Sequence, residues 1–162
     1  MYSAYIGMGS NLGDARANLT LALQELAALP GIRLHAASTV YCTEPQGDVD
    51  QPWFFNQVAA VNTALSPHEL LRQLQEIEKS LGRERSPERR FGPRTLDLDL
   101  LYYQGVELGE PFLTLPHPRM WQRAFVLLPL LELAEGELAG QARLALQELN
   151  YVLDNDKIFQ KH

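Results

Sequence analysis

Hydrophobic and polar positions along the chain repeat with two periods. From Tyr2 to Gly7 the residues read as a strand that runs into a turn, Gly7-Met-Gly-Ser-Asn-Leu-Gly13. Asp14 then stands where a helix cap is needed, and Leu19, Ala22, Leu23 and Leu26 follow at helical spacing before Pro30-Gly31 ends the run. Residues 32–41 alternate through Ile32, Leu34, Ala36 and Val40 as a strand, a Pro/Gly/Asp-rich loop occupies about 43–52, and a further strand runs through Asn56–Thr63. Ser66-Pro67-His68-Glu69 is a helix start: serine as N-cap, proline at the first helical position, glutamate closing a capping box. Leu70, Leu71, Leu74, Ile77 and Leu81 make that helix's apolar stripe, and Gly82 stops it. Leu96–Tyr102 alternates again, with Leu96, Leu98, Leu100 and Tyr102 on one face, and Gln104-Gly105 marks a hairpin. Helices are expected over about 119–133 and 142–150. The order β-α-β-β-α-β is that of a ferredoxin-like α+β sandwich with an antiparallel sheet, and residues 1–162 read as a single domain without repeat or linker.

Composition narrows the function classes. A net charge of −6 argues against sequence-independent binding to nucleic acid. No apolar run reaches the length of a membrane span, and the N-terminus lacks a basic start followed by an apolar stretch, so a cytoplasmic protein is expected. Cys42 is alone and has no internal disulfide partner, and no Cys/His spacing resembles a zinc site. Against this acidic background five arginines, Arg83, Arg85, Arg89, Arg90 and Arg94, fall within twelve residues. Such a patch suits a compact anion such as a nucleotide.

The segment from Arg90 to Leu101 carries the most chemistry. Asp97 and Asp99 project from the face opposite the leucines, about 7 Å apart at Cα, and repel each other unless a cation sits between them. Their hard oxygens suit Mg²⁺, which takes one or two protein carboxylates together with substrate phosphates. Carboxylates for metal beside guanidinium groups for phosphate oxygens is the equipment of phosphoryl transfer. A lone Asp-x-Asp is more often a solvated face or a pair of turn-forming carboxylates. The Gly92-Pro93 turn and Arg94, which tie a cationic loop to the start of this strand, favour the metal–polyphosphate reading.

Other pieces are less specific. Gly7–Gly13 lacks the P-loop lysine and the dinucleotide glycine spacing, so it reads as a structural turn, able to line a site with its backbone. His117 sits between two prolines, and Arg123 and Phe125 follow on an expected helix; His117 and Arg123 add donors to an anion site. Asn56 follows Trp53-Phe54-Phe55, which is either core or a grip on a flat heterocycle through amide hydrogen bonds and stacking. Thr43-Glu44-Pro45-Gln46-Gly47 could supply backbone groups to the same pocket.

With these residues assembled, the chain resembles the 6-hydroxymethyl-7,8-dihydropterin pyrophosphokinases of folate biosynthesis. The resemblance runs from Ala4-Tyr-Ile-Gly-Met-Gly-Ser-Asn-Leu-Gly13 to about Leu133. It takes in Tyr41-x-Thr-x-Pro45, Phe54-Phe-Asn56, Gln75-x-Ile-Glu78, Arg90-x-Gly-Pro-Arg-x-x-Asp-Leu-Asp-Leu-Leu101, Leu113-Thr-x-Pro-His117 and Arg123-x-Phe125. It implies transfer of pyrophosphate from ATP to the pterin hydroxymethyl oxygen with release of AMP, by a monomer using two Mg²⁺ ions. Asp97 and Asp99 are then the metal ligands, and Arg83 and Arg94 the catalytic arginines on the polyphosphate. Arg85 and Arg90 close over the nucleotide, His117 and Arg123 meet its phosphates, and Gln75 and Glu78 lie near it. Thr43, Glu44, Gln46 and Asn56 match pterin-binding positions, with Phe54 and Phe125 sandwiching the ring. Phe91 and Pro118 depart from the aromatic residues of familiar members. Two other readings stand beside this one: a nucleotidyltransferase using the same aspartates, and a non-catalytic ferredoxin-like nucleotide-binding module.

Overall fold

The structure is a computed structural model that describes residues 1–44, 52–82 and 96–161. Strand β1 (Tyr2–Ser10) buries Ala4, Ile6, Met8 and Ser10 on one face. Helix α1 (Ala15–Ala28) starts at Asp14, whose carboxylate accepts the Ala17 N–H at 3.1 Å, and turns Leu19, Ala22 and Leu26 onto that face. β2 (Ile32–Ala37) and β3 (Tyr41–Thr43) pair in succession along β4 (Phe54–Thr63). Helix α2 (Pro67–Leu81) has the expected capping box of Ser66 and Glu69, the proline at its first turn and Gly82 at its end, and buries Leu70, Leu74 and Ile77. β5 (Asp97–Tyr103) completes the β-α-β-β-α-β unit in the antiparallel order β5-β1-β4-β2, the ferredoxin-like arrangement.

Two helical layers cover the sheet. α1 and α2 pack on Ile6, Met8, Leu98 and Leu100. On the opposite face α3 (Ala124–Leu133) and α4 (Gly136–Gln147) pack through Val126, Leu127, Leu130, Leu138 and Ala142 against Val58 and Leu101. β6 (Leu108–Glu110) and β7 (Leu113–Leu115) form a separate small sheet. The chain finishes in a hairpin of β8 (Asn150–Asp154) and β9 (Lys157–Lys161), with β9 pairing parallel to β3. No described helix is long and apolar enough to cross a membrane.

Several sequence expectations change. Gly7–Ser10 is strand, not turn, because β4 pairs with it throughout and β5 as far as Gly9. The strand expected over 32–41 breaks at Ser38: the Ser38 hydroxyl accepts the Val58 N–H at 2.9 Å, substituting for the ladder. Tyr102 does not share the face of Leu98 and Leu100. The register between β1 and β5 shifts by one residue after Leu100, so Leu101 and Tyr102 both pack toward α3 and α4, and Tyr103 takes the α1–α2 side. Gln104-Gly105 is a turn, with Gly105 at φ 72°, yet the hairpin lies further on between β6 and β7, because Gln104 is bonded back to Ser3 of β1. The first expected C-terminal helix opens instead as a 3-10 turn (Met120–Gln122) before α3, and the second begins six residues early.

Candidate active site

Backbone pairing across β4, β1 and β5 sets two rows of residues side by side: Asn56–Gly9–Asp97, and one step along, Val58–Gly7–Asp99. The middle strand contributes only glycine to both rows. Asn56 therefore faces Asp97 across a trough two strand spacings wide, about 10 Å, with no side chain between. A Cβ at Gly9 would stand 3.2 Å from Asn56 Oδ1, and one at Gly7 would stand 3.3 Å from a Leu101 methyl. The glycines are there for close approach; neither has a positive φ. Arg123, Phe125 and Val126 from the start of α3 roof the trough, and Phe54, Thr43 and Glu44 close its far end, enclosing a cavity of about 260 Å³.

Polar order inside this cavity is specific. Asn56 and Thr43 are both buried, and Asn56 Nδ2 donates to Thr43 Oγ1 at 3.2 Å. The Arg123 guanidinium lies over the Phe125 ring, 5.6 Å from its centroid. Burial pushes its pKa below the usual arginine value, while Asp99 and, more weakly, Asp97 pull it back up.

A second cavity of about 270 Å³ runs along the outer edge of β5, the end strand of the described sheet, between α2 and the β6–β7 hairpin, lined by Leu71, Phe112, Thr114 and His117 among others. Asp99 lines both cavities. His117 is fixed by its own N–H donating to Leu101 O at 2.8 Å. Burial lowers its pKa below the ordinary imidazole value, against the pull of Asp99, with Arg123 and Arg119 lowering it further. Its Nδ1 accepts the Arg119 N–H at 3.2 Å, so the neutral ring carries its proton on Nε2.

Eight residues expected from sequence, Thr43, Glu44, Phe54, Asn56, Asp97, Asp99, Arg123 and Phe125, thus meet around one cavity, and His117 joins Asp99 at the next. Glu78 lines neither; its Oε2 accepts the Leu98 N–H at 3.0 Å, the peptide between the two aspartates, and so steadies the carboxylate strand. Gln75 is exposed on α2 outside both linings. Gln46, Arg83, Arg85, Arg90 and Arg94 lie outside the described residues. Gly7 and Gly9 line the cavity with their backbone, as the sequence allowed, but from within a strand and not a turn; glycine at alternate positions of a strand is the signal for such a floor.

Two cavities meeting at a carboxylate can bring two small molecules together, as a group-transfer enzyme requires. Comparison with known proteins names the transfer. Residues 5–135 match the family model of 7,8-dihydro-6-hydroxymethylpterin-pyrophosphokinase (HPPK). A Methylorubrum extorquens protein named 2-amino-4-hydroxy-6-hydroxymethyldihydropteridine pyrophosphokinase is 48% identical over 152 residues, covering 93% of this chain and 95% of its own. The Haemophilus influenzae protein of the same name is 39% identical, covering 98% of both. Among solved structures, Plasmodium falciparum HPPK-DHPS with SDX-DHP superposes with a TM-score of 0.64 at 12% identity, over 99% of this chain. The chain spans about half of that longer protein (49%), and the likeness speaks to the fold alone.

The chain belongs to the HPPK family. It is an ATP pyrophosphokinase that transfers pyrophosphate to the hydroxymethyl group of 6-hydroxymethyl-7,8-dihydropterin, giving the pterin diphosphate and AMP, in folate biosynthesis. The nucleotidyltransferase and non-catalytic readings are thereby not favoured.

Proposed function

We propose that the glycine-floored trough is the pterin site and the cavity along the β5 edge the ATP site, with Asp97 and Asp99 at their junction. The observation carrying this is the pair of cross-strand rows: a slot wide and flat enough for a bicyclic ring, with an amide on one rim and two carboxylates on the other. Phe54 and Phe125 stack on the ring faces, and Asn56 and Thr43, with Glu44 and Gln46, bond its polar edge. The hydroxymethyl group then points to the aspartate rim. Neutral His117 donates from Nε2, and Arg123 from its guanidinium, to phosphate oxygens; Arg83, Arg85, Arg90 and Arg94 add charge to the same anion, and Gln75 and Glu78 flank the nucleotide.

The carboxylate pair fits Mg²⁺. Two hard carboxylates suit an ion that keeps substrate phosphates as its other ligands. Two Mg²⁺ ions bound to Asp97 and Asp99 would neutralise the triphosphate and orient the attacking hydroxyl. The residues' own part is positioning: Glu78 fixes the peptide between the aspartates, and α3 keeps water from the pterin end. The reading extends to one pyrophosphokinase domain over residues 1–162, acting as a cytoplasmic monomer.

Asp97→Asn and Asp99→Asn test it. Each should cut turnover on the order of 10²–10³-fold, as loss of one preorganised electrostatic contact does, while pterin affinity holds. Near-parental turnover in both would remove the aspartates from the chemistry.

A further inference from the structure

Arg123 is the N-cap of α3, and its own side chain makes no capping hydrogen bond. Its backbone is extended, φ −123° and ψ 104°. In extended chain the carbonyl of residue i−1 and the N–H of residue i+1 point to the same side, the side on which a neighbouring strand would pair. Here that side is met by one side chain. Gln160 Oε1 accepts the Ala124 N–H at 2.8 Å, and Gln160 Nε2 donates to the Gln122 carbonyl at 2.7 Å. A primary amide thus takes the place of a partner strand's peptide group and holds both peptides that flank Arg123. It also satisfies one of the donors that a helix start leaves open.

Gln160 is itself firmly held. β9 pairs with β3 at Cys42 and Thr43, Cys42 N–H donates to Asp156 O at 2.7 Å, and Ile158 is buried. Trp53 packs edge-on to Phe159, 5.5 Å between centroids, and Lys157 lies over the same indole. The terminal hairpin therefore joins two walls of the trough: β3, which carries Thr43, and the start of α3, which carries Arg123 and Phe125. It lies beyond residues 5–135, the part the family model matches.

We infer that Gln160 is a positioning residue for the pyrophosphokinase reaction, locking the first turn of α3 so that Phe125 faces the pterin and Arg123 the carboxylates. The inference rests on the pterin-site reading above. Glutamine is suited because it offers a donor and an acceptor at once. Glutamate keeps the bond to Ala124 N–H and sets an oxygen against the Gln122 carbonyl; alanine keeps neither.

The test is pterin affinity of the full chain, by calorimetry, for Gln160→Ala, Gln160→Glu, Phe125→Ala and the double variant Gln160→Ala/Phe125→Ala, with thermal unfolding measured alongside. Gln160→Ala should weaken pterin binding about three- to tenfold, the worth of one ordinary hydrogen bond, and Gln160→Glu should weaken it too. In the Phe125→Ala background the same change should have almost no further effect, since residues acting through one another are not additive. A merely structural glutamine would lower the melting temperature and leave the two losses independent. Losses that simply add, or parental affinity in both Gln160 variants beside a weakened Phe125→Ala, would overturn the role of Gln160 alone. Parental affinity in Phe125→Ala would overturn the pocket assignment and the inference with it. Should Gln160→Ala fail to fold, Gln160→Glu and its double with Phe125→Ala give the same reading.

Discussion

At the scale of single residues, the site depends as much on absent side chains as on present ones. Gly7 and Gly9 have almost the same room for a methyl group, yet what each would strike differs. At Gly7 it is an apolar Leu101 methyl at 3.3 Å; at Gly9 it is Asn56 Oδ1 at 3.2 Å, inside the trough. Gly9→Ala should therefore displace the Asn56 amide and weaken pterin binding about tenfold, comparable to Asn56→Ala, because a buried polar group that loses its partner costs ~1–3 kcal/mol. Gly7→Ala should cost mainly stability. Isothermal titration with pterin, beside thermal unfolding, separates the two; equal pterin affinity in Gly9→Ala and parent would put the ring elsewhere. Asp97 and Asp99 were legible in the sequence because their pairing needs only the period of their own strand. The glycines were legible as backbone able to line a site but not as strand, because a Gly-x-Gly reads as a turn until its two partner strands are known.

At the scale of elements, local chemistry carried furthest where it was self-contained. The Ser66–Glu69 capping box and the Asp14 cap each close within a few residues, and both are present as expected. The bulge at Leu101 and the break at Ser38 depend on the register of a neighbour, which no single strand encodes. The terminal hairpin hid because Val152, Leu153 and Phe159 are exposed and blur its alternation. Its clue was Asn155, at φ 56° in a two-residue loop.

The placing of α3 against the sheet has a further, testable fastening. Glu132, one residue from the end of α3, accepts the Thr39 N–H at 3.0 Å and hydroxyl at 2.7 Å, and the Tyr41 hydroxyl. Burial alone would raise its pKa, but these donors outweigh it and hold the carboxyl below the ordinary 4.5. Burial, followed by Glu132, raises the Tyr41 pKa, so the phenol stays a donor to an ionised carboxylate. As pH falls below about 4.5 the unfolded chain takes up the proton first, so stability is full above that value and is lost toward and through the lower folded pKa. Glu132→Gln should be less stable at neutral pH and show a shallower loss of stability on acidification below pH ~5. Denaturant melts from pH 7 to 3.5 check this; parallel curves for both proteins would refute the clamp.

At the scale of the whole molecule, the chain is a sheet with two functions separated by its faces and one edge. One helical layer, α1 and α2, buries Ile6, Met8, Leu98 and Leu100 and gives stability. The other, with the glycine rows beneath it, frames the trough proposed for the pterin, and the outer edge of β5 borders the cavity proposed for the nucleotide. Among the described residues, Asp99 alone lines both spaces. Removing divalent metal should therefore act on the meeting of the two substrates and spare the ring pocket, whose proposed contacts are the Phe54 and Phe125 rings, the Asn56 and Gln46 amides, the Thr43 hydroxyl and Glu44. With a chelator present, turnover should fall to background and return on adding Mg²⁺. Pterin alone should still raise the melting temperature, since a ligand that binds only the folded state stabilises it by RT ln(1 + [L]/Kd), about 2.7 kcal/mol at a hundredfold excess over Kd. Loss of the pterin-induced shift on chelation would mean that metal builds the ring pocket itself, and the division of labour between trough and carboxylate rim would be wrong.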